Sequence, residues 1–353
     1  MKKEIKIRQY YRSDEGRTLD LILSNLPPGQ AAAQRPARQK RWRWQYHDNP
    51  NYPDGEPVLW VAVMDEAVVG MACPLAVRLK TPRGIVMGSW CNDWIVSRQT
   101  RGTGLGRTLK EKWQHTFPVA LGRGWSDRAC EVSVTLGFET VTGFLTGWFV
   151  LSRAAFAKRL YGLREYRNLG RLLSLPPRLT LGGRKGLAGK ASVTETLPAG
   201  AGDLWARVGE AYAFAVDRYP AHMKWRYESH PAFKYEFVSL EHGGGLAGLA
   251  VMRLSGDSIP VGVVAELIVD PDRPNLVKSL FVAAVEHLKS KGACAVRADI
   301  PPRLTASVLS APYACLKGDL KMLVWTDDAD LAGMGINEAR NWYLTCGDSD
   351  ADF

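Results

Sequence analysis

The residues best placed to do chemistry lie in one run, Ile95 to Leu109. An apolar strand ends at Val96, a turn carries Arg101-x-x-Gly104-x-Gly106, and an amphipathic helix then runs to about His115. Glycines at a helix start let a ligand approach the backbone and leave the first N–H groups without partners. Together with the positive end of the helix dipole, those groups form a site for an anion such as a phosphate. The spacing fits neither the six-residue dinucleotide fingerprint nor the phosphate loop that ends in Gly-Lys-Ser/Thr. Taken alone, it also suits an ordinary strand-turn-helix with glycines at the turn.

The elements that must position this loop are legible around it. Val58–Val63 and Ala67–Val77 flank Asp65-Glu66 and read as a hairpin. A strand from Gly84 to Gly88 leads into Trp90–Val96. Downstream, Ser126–Thr135 reads as a short helix that closes in Leu136-Gly137-Phe138-Glu139.

With these neighbours, the loop resembles the pyrophosphate loop (Gln/Arg-x-x-Gly-x-Gly/Ala) of the GCN5-related N-acetyltransferases, and the order of elements is similar to that family over residues 1–153. The resemblance implies that acetyl-coenzyme A is the acyl donor. It places the pyrophosphate on the N–H groups of Arg101, Gly102, Thr103, Gly104, Leu105 and Gly106, with Arg107 and Thr108 opening the helix behind them. It also pairs the pantetheine arm with the backbone at Ile95 and Val96, where the Val96 N–H could polarise the thioester carbonyl.

An acyl thioester is already activated. The protein must hold it beside a nucleophile, take up a proton and protonate the leaving thiolate. Asp93, on the strand before the loop, is a candidate base, directly or through water, or else a structural carboxylate. Asn92 could orient the acceptor. The family's usual acid is a tyrosine four residues before the Gly of the Gly-Phe pair. That position is Ser133 here, and a neutral serine is a poor proton donor.

The chain carries a second organising feature. Trp44-Gln45-Tyr46 followed by Pro50 recurs as Trp225-Arg226-Tyr227 followed by Pro231. Each copy leads into a hairpin-like stretch (Val69-Gly70-Met71-Ala72; Ala247-Gly248-Leu249-Ala250) and then an acid with an apolar strand (Asp93-Trp94-Ile95-Val96; Glu266-Leu267-Ile268-Val269). After Val269, however, Asp270-Pro271-Asp272-Arg273-Pro274 holds no glycine and two prolines. This is a poor phosphate cradle, because proline removes an N–H and fixes φ.

The expected fold is therefore α/β (α+β), with two domains of the same acetyltransferase-like kind, each a mixed, mostly antiparallel sheet flanked by helices. Residues 1–153 form the catalytic domain, 154–190 a basic linker, and 191–353 a degenerate second copy.

Composition bounds the rest. The chain has 353 residues, 46% of them hydrophobic and 23% charged, with a net charge of +10, as expected for a globular protein of about two domains. No apolar run approaches a membrane span, charges run through the first 25 residues, and a cytoplasmic location is expected. The six cysteines and six histidines show no metal spacing, so free thiols and no metal site are expected.

Between Arg153 and Lys190 stand ten lysines or arginines and one acid, Glu165. This stretch is a solvated connector, a membrane-surface contact or a dock for a polyanion; nucleic acid is disfavoured because no binding module accompanies the charge. A second basic cluster, Arg35, Arg38, Lys40, Arg41 and Arg43, lies beside Trp42, Trp44 and Tyr46. These residues either face the acceptor or form a surface helix with its aromatics packed inward. Asp348, Asp350 and Asp352 read as a solvated acidic tail after a last strand at Trp342–Thr345.

The activity expected is transfer of an acetyl group to an amine or hydroxyl of a small molecule or sugar. The alternatives are a transferase with a larger donor, a long-chain acyl-coenzyme A or an aminoacyl-tRNA, and a non-catalytic coenzyme A- or anion-binding module.

Overall fold

The computed structural model describes residues 4–27, 29–52, 55–161 and 187–348. In the first half, β1 (Lys6–Gln9), α1 (Glu15–Ser24) and α2 (Ala31–Trp42) precede a meander of β2 (Trp60–Met64), β3 (Ala67–Thr81) and β4 (Gly84–Val96). The β2–β3 turn is tight because Asp65 and Glu66 both take left-handed φ, 49° and 63°. After β4 come α3 (Leu105–Gln114), β5 (Val119–Arg123), α4 (Asp127–Val134), β6 (Glu139–Val150) and α5 (Arg153–Tyr161). Ser126 caps α4 by accepting the Ala129 N–H.

The second half holds β7 (Lys190–Thr194), β8 (Phe214–Val216), β9 (Glu236–His242), β10 (Gly245–Leu254), β11 (Val261–Val269), the helix Pro274–Ser290, β12 (Ala295–Ile300), β13 (Ala314–Thr326) and β14 (Trp342–Tyr343).

The sheet is mixed, mostly antiparallel and flanked by helices, as expected. It also runs unbroken through both halves in the order β1-β2-β3-β4-β5-β13-β6-β12-β11-β10-β9-β7. The halves exchange strands. β13 lies between β5 and β6, and β6 lies between β13 and β12, all antiparallel.

The exchange is accompanied by a matched contact. Arg43–His47 and Lys224–Glu228 are both single π-helical turns. The Trp44 and Trp225 rings stack with centroids 4.9 Å apart. Each indole N–H donates to the other's carbonyl, at 2.9 and 2.8 Å. Both tryptophans are buried.

Small residues set the helix-to-sheet distance in each half. A Cβ on Gly70 of β3 would come 2.8 Å from Leu109 of α3, and one on Gly248 of β10 would come 3.0 Å from Leu280. No described helix is long and apolar enough to cross a membrane.

Three expectations need correction or delimitation. The final strand is shorter than expected, Trp342–Tyr343, and pairs in parallel with β8. Asp348 is not a solvated tail residue. It is buried and accepts bonds from Arg218 Nη2 (2.6 Å) and the Thr345 N–H (2.9 Å), so a carboxylate that exposure would have left in water is held by a guanidinium instead. Residues 162–186, which hold most of the basic linker, lie outside the described residues, as do Asp350 and Asp352.

Candidate functional site

β4 and β5 run in parallel over three residue pairs only, Gly88–Trp90 with Val119–Leu121. Beyond Trp90 the strands part. The cause is local: between Cys91 and Trp94, β4 holds one residue more than β3 holds between Pro74 and Ala72. Such a bulge bends its strand. Pro74 is tolerated there because a bulge leaves a ladder position without its usual bond.

The Ser97 N–H donates to the Val69 carbonyl at 2.8 Å. Alternation along an antiparallel strand then turns the N–H and C=O of Ile95 toward β3 and those of Trp94 and Val96 toward the open side of the fork. Of the two backbone positions expected to face the pantetheine, Val96 therefore stands at the open edge.

The fork opens into a cleft of about 940 Å³, lined among others by Asn92, Trp94, Val96, Arg123 and Trp125. Its mouth is the loop Arg101–Gly104 with the first turn of α3. Gly102 (φ 80°) and Gly104 (φ 87°) are left-handed, and a Cβ on either would meet no atom within 4 Å. Glycine is needed here for backbone conformation, and the space beyond it is open.

The side chains of the loop are tied down outward, which leaves the backbone as its inner surface. Arg101 donates to Asn25 Oδ1 (3.1 Å). Thr103 Oγ1 donates to the Thr100 carbonyl (2.8 Å), and Arg107 pairs with Glu111 and Thr135. Leu105 is buried against the sheet, and Thr108 lies on another face of α3, lining a separate hollow. Arg101, Gly102, Gly104, Gly106 and Arg107 line the cleft itself. The Trp94 indole N–H donates to the Gly106 carbonyl (2.9 Å), which fixes the helix start to the fork wall. The residues present fit a diphosphate through the backbone at Gly102, Gly104 and Gly106, with Arg107 and Arg128 alongside, whereas the Arg101 N–H donates to the Arg98 carbonyl and the Leu105 N–H to Thr103 Oγ1, both at 3.4 Å.

Asp93 is half-buried and does not line the cleft. Its Oδ2 accepts the Tyr46 hydroxyl at 2.8 Å, on the side of β4 where Ile95 packs with Tyr46 and Trp42. Asn92 does line the cleft. Burial first, and then Asp93, holds the Tyr46 hydroxyl well above its ordinary pKa, so it acts as a neutral donor to the carboxylate. Of the aromatics beside the basic cluster, Trp42, Trp44 and Tyr46 are all buried, so they pack inward, whereas Arg35, Lys40 and Arg43 are exposed and Arg38 is half-buried.

Ser133 is fully buried. It donates to the Ala129 carbonyl and accepts from Lys110 Nζ. Lys110 and Trp125 were not singled out from the sequence. Their partners come from α3, α4, β4 and the ends of β5 and β6, which only the fold brings together.

The corresponding fork in the second half is filled. β11 pairs with β12 only as far as Val264–Ala298, and its own bulge, at Ala265, precedes Glu266. The segment Leu344–Asp348 occupies this fork. The Gly347 N–H donates to the Ala265 carbonyl (2.9 Å), and a Cβ on Gly347 would fall 2.0 Å from the Tyr227 hydroxyl. Glu266 is buried and accepts from Tyr227 (2.6 Å), Tyr343 (3.0 Å), Thr345 (3.1 Å) and Arg218 (3.2 Å). At the turn before Pro274–Ser290 a hollow of about 490 Å³ remains, but the carboxylates of Asp270 and Asp272 line it.

In sequence, no family model matches the chain, and no curated protein does. Solved structures do match in shape. A conserved protein of unknown function from Enterococcus faecalis V583, a probable N-acyltransferase, superposes with a TM-score of 0.59 at 11% identity, over 92% of this chain and 72% of the other. A GCN5-related N-acetyltransferase from Kribbella flavida gives 0.56 at 14% identity, over 94% and 73%. The chain has the fold of the GCN5-related N-acetyltransferases. The N-myristoyltransferase of Saccharomyces cerevisiae, solved with bound myristoyl-coenzyme A, also superposes, with a TM-score of 0.52 at 10% identity over 91% and 82%. At these identities the likeness is one of fold.

Proposed function

We propose that the chain is an acyltransferase that moves an acyl group, acetyl in the simplest case, from coenzyme A to an amine or hydroxyl by direct attack on the thioester. The observation that carries this reading is the forked β4–β5 pair with a left-handed glycine loop at its mouth. The N–H groups at the start of α3 would bind the diphosphate, and the open edge at Val96 would take the pantetheine amides. Bound coenzyme A would supply an activated carbonyl and a thiolate leaving group.

Asp93, oriented by Tyr46 on the side of β4 away from the cleft lining, would take the proton of an acceptor approaching from that side, directly or across one water, and Asn92, which lines the cleft, would orient the acceptor. Arg123 is positioned at the fork by Asp299 and the Thr345 carbonyl. The two halves are read as copies of one unit joined within residues 154–190. Supporting this are the matched π-turns, the reciprocal Trp44–Trp225 bonds and the bulge before each fork. The second copy serves as scaffold.

Calorimetric titration with acetyl-coenzyme A tests the reading. One-to-one binding is expected, and Gly104→Asp should remove it by placing a side chain and a negative charge in the cradle. No binding by the wild-type chain overturns the proposal. Preferential binding of myristoyl-coenzyme A would keep the reaction and change the acyl group.

A further inference from the structure

Lys110 projects from α3 into a box of aromatic rings. Its Nζ lies 3.5 Å from the ring centroid of Trp125, 4.3 Å from Trp94, 5.6 Å from Phe138 and 5.9 Å from Trp113. The side chain is fully buried, and among the described residues no carboxylate pairs with it. Its hydrogen bond goes to Ser133 Oγ, whose own proton is committed to the Ala129 carbonyl.

Ring faces stabilise a desolvated ammonium, but by less than it loses on leaving water. Burial accordingly lowers Lys110 to about 8, while the thiols of Cys91 and Cys130 oppose the shift. An ammonium of this kind gives up its proton readily near neutral pH.

Two observations join this box to the fork. Trp94 and Trp125, the rings nearest Nζ, are also walls of the cleft, so the ammonium lies one ring behind the surface a donor would touch. The Trp125 ring also lies over Gly122, where a Cβ would come within 2.1 Å of it. Gly122 is the first residue of β5 beyond its pairing with β4. Trp125 thus occupies the root of the fork.

We propose that Lys110 is the acid that protonates the departing sulfur of the acyl donor, and that the Trp125 ring is the cover which moves off it as the donor enters the root of the fork. The inference rests on the acyl-transfer reading. In the step, an N–H bond of the ammonium breaks and an S–H bond forms, leaving a neutral thiol and a neutral Lys110 amine. The proton that the acceptor gives to Asp93 restores the ammonium through water.

The first test needs no acceptor. Free coenzyme A is bound to the wild-type chain and to Lys110→Met, and the thiolate is followed by ultraviolet difference absorbance against pH. At pH 7 the wild-type complex should hold at least a tenfold larger thiolate fraction, because a cation beside the sulfur favours its ionised form. The second test uses acetyl-coenzyme A with hydroxylamine as nucleophile. Wild-type turnover should fall as pH rises through about 8, where the acid is lost. Lys110→Met should turn over roughly 100-fold more slowly, with affinity for acetyl-coenzyme A within about twofold.

Equal thiolate fractions and equal turnover in Lys110→Met overturn the assignment and leave acyl transfer standing. A wild-type chain that does not bind coenzyme A overturns both. If Lys110→Met fails to fold, Lys110→Arg carries the test. It keeps the cation but does not titrate near 8, so its falling limb must move upward, and an unchanged limb overturns the proposal.

Discussion

The two forks of the sheet use the same backbone device to opposite ends. In each, a parallel pair stops after a few residues, a bulge bends the longer strand, and an acid on that strand bonds a tyrosine from a π-turn, Asp93 with Tyr46 and Glu266 with Tyr227. The first fork is left open as a cleft of about 940 Å³, entered past glycines. The second is closed by the chain's own segment Leu344–Asp348. The void left there is about 10 Å³, at the lower limit for a single water.

What fills the gap decides what the acid can do. Glu266 must be satisfied by protein groups, and it has four donors. Burial raises its pKa and Arg218 opposes that. Asp93 is half-buried and keeps access to solvent. A fork becomes a site when no strand-like segment of the chain can reach it, and becomes core when one can.

The contrast predicts a graded set of effects. The largest belongs to Arg218→Met, which leaves Glu266 and Asp348 buried without their shared cation. Unfolding free energy should drop by about 3–5 kcal/mol, read from urea midpoints, whereas Asp93→Asn should leave stability nearly unchanged. Equal losses would erase the distinction between a core acid and a site acid.

Next comes Gly104→Asp, for which acetyl-coenzyme A affinity should drop at least 100-fold, about 2.7 kcal/mol, with a small fall in the thermal midpoint from placing a side chain at a left-handed φ. Gly347→Ala should cost about 2 kcal/mol of stability by overpacking the closed fork against Tyr227, and should leave donor affinity as it was. A large gain in coenzyme A binding by this variant would show the second fork to be a suppressed site rather than core. The smallest effect is expected of Tyr46→Phe, about 1 kcal/mol. Tyr227→Phe, which strips a donor from a fully buried carboxylate, should cost at least twice that.

Much of the open fork was legible in the sequence because it depends on local chemistry. Arg101-x-x-Gly104-x-Gly106 after an apolar strand announces a glycine turn into α3, Ser126–Thr135 announces α4, and Asp65-Glu66 between apolar runs announces a hairpin. The repeated Trp-x-Tyr was visible as spacing. That the two tryptophans clasp each other was not, because the contact spans the whole chain. The closed fork was not legible either. Asp348 reads as surface until Arg218, far away in sequence, is seen beside it. Lys110 was missed for the same reason. On the helical pattern it reads as one more polar residue on an amphipathic helix, and only the convergence of Trp94, Trp125 and Phe138 gives it an apolar environment.

The strand exchange has a consequence for how the molecule comes into being. β5 is complete at Arg123, but its partner β13 does not begin until Ala314. At a synthesis rate of roughly 5–20 residues per second, the nascent first half waits on the order of 10–40 s with bare edges on both β5 and β6. Such edges are templates for pairing with another chain. The long wait and the high sequence separation of these contacts favour slow, late closure of the sheet. A fragment ending near residue 153 should therefore aggregate or require a chaperone, whereas supplying the second half in trans should rescue it.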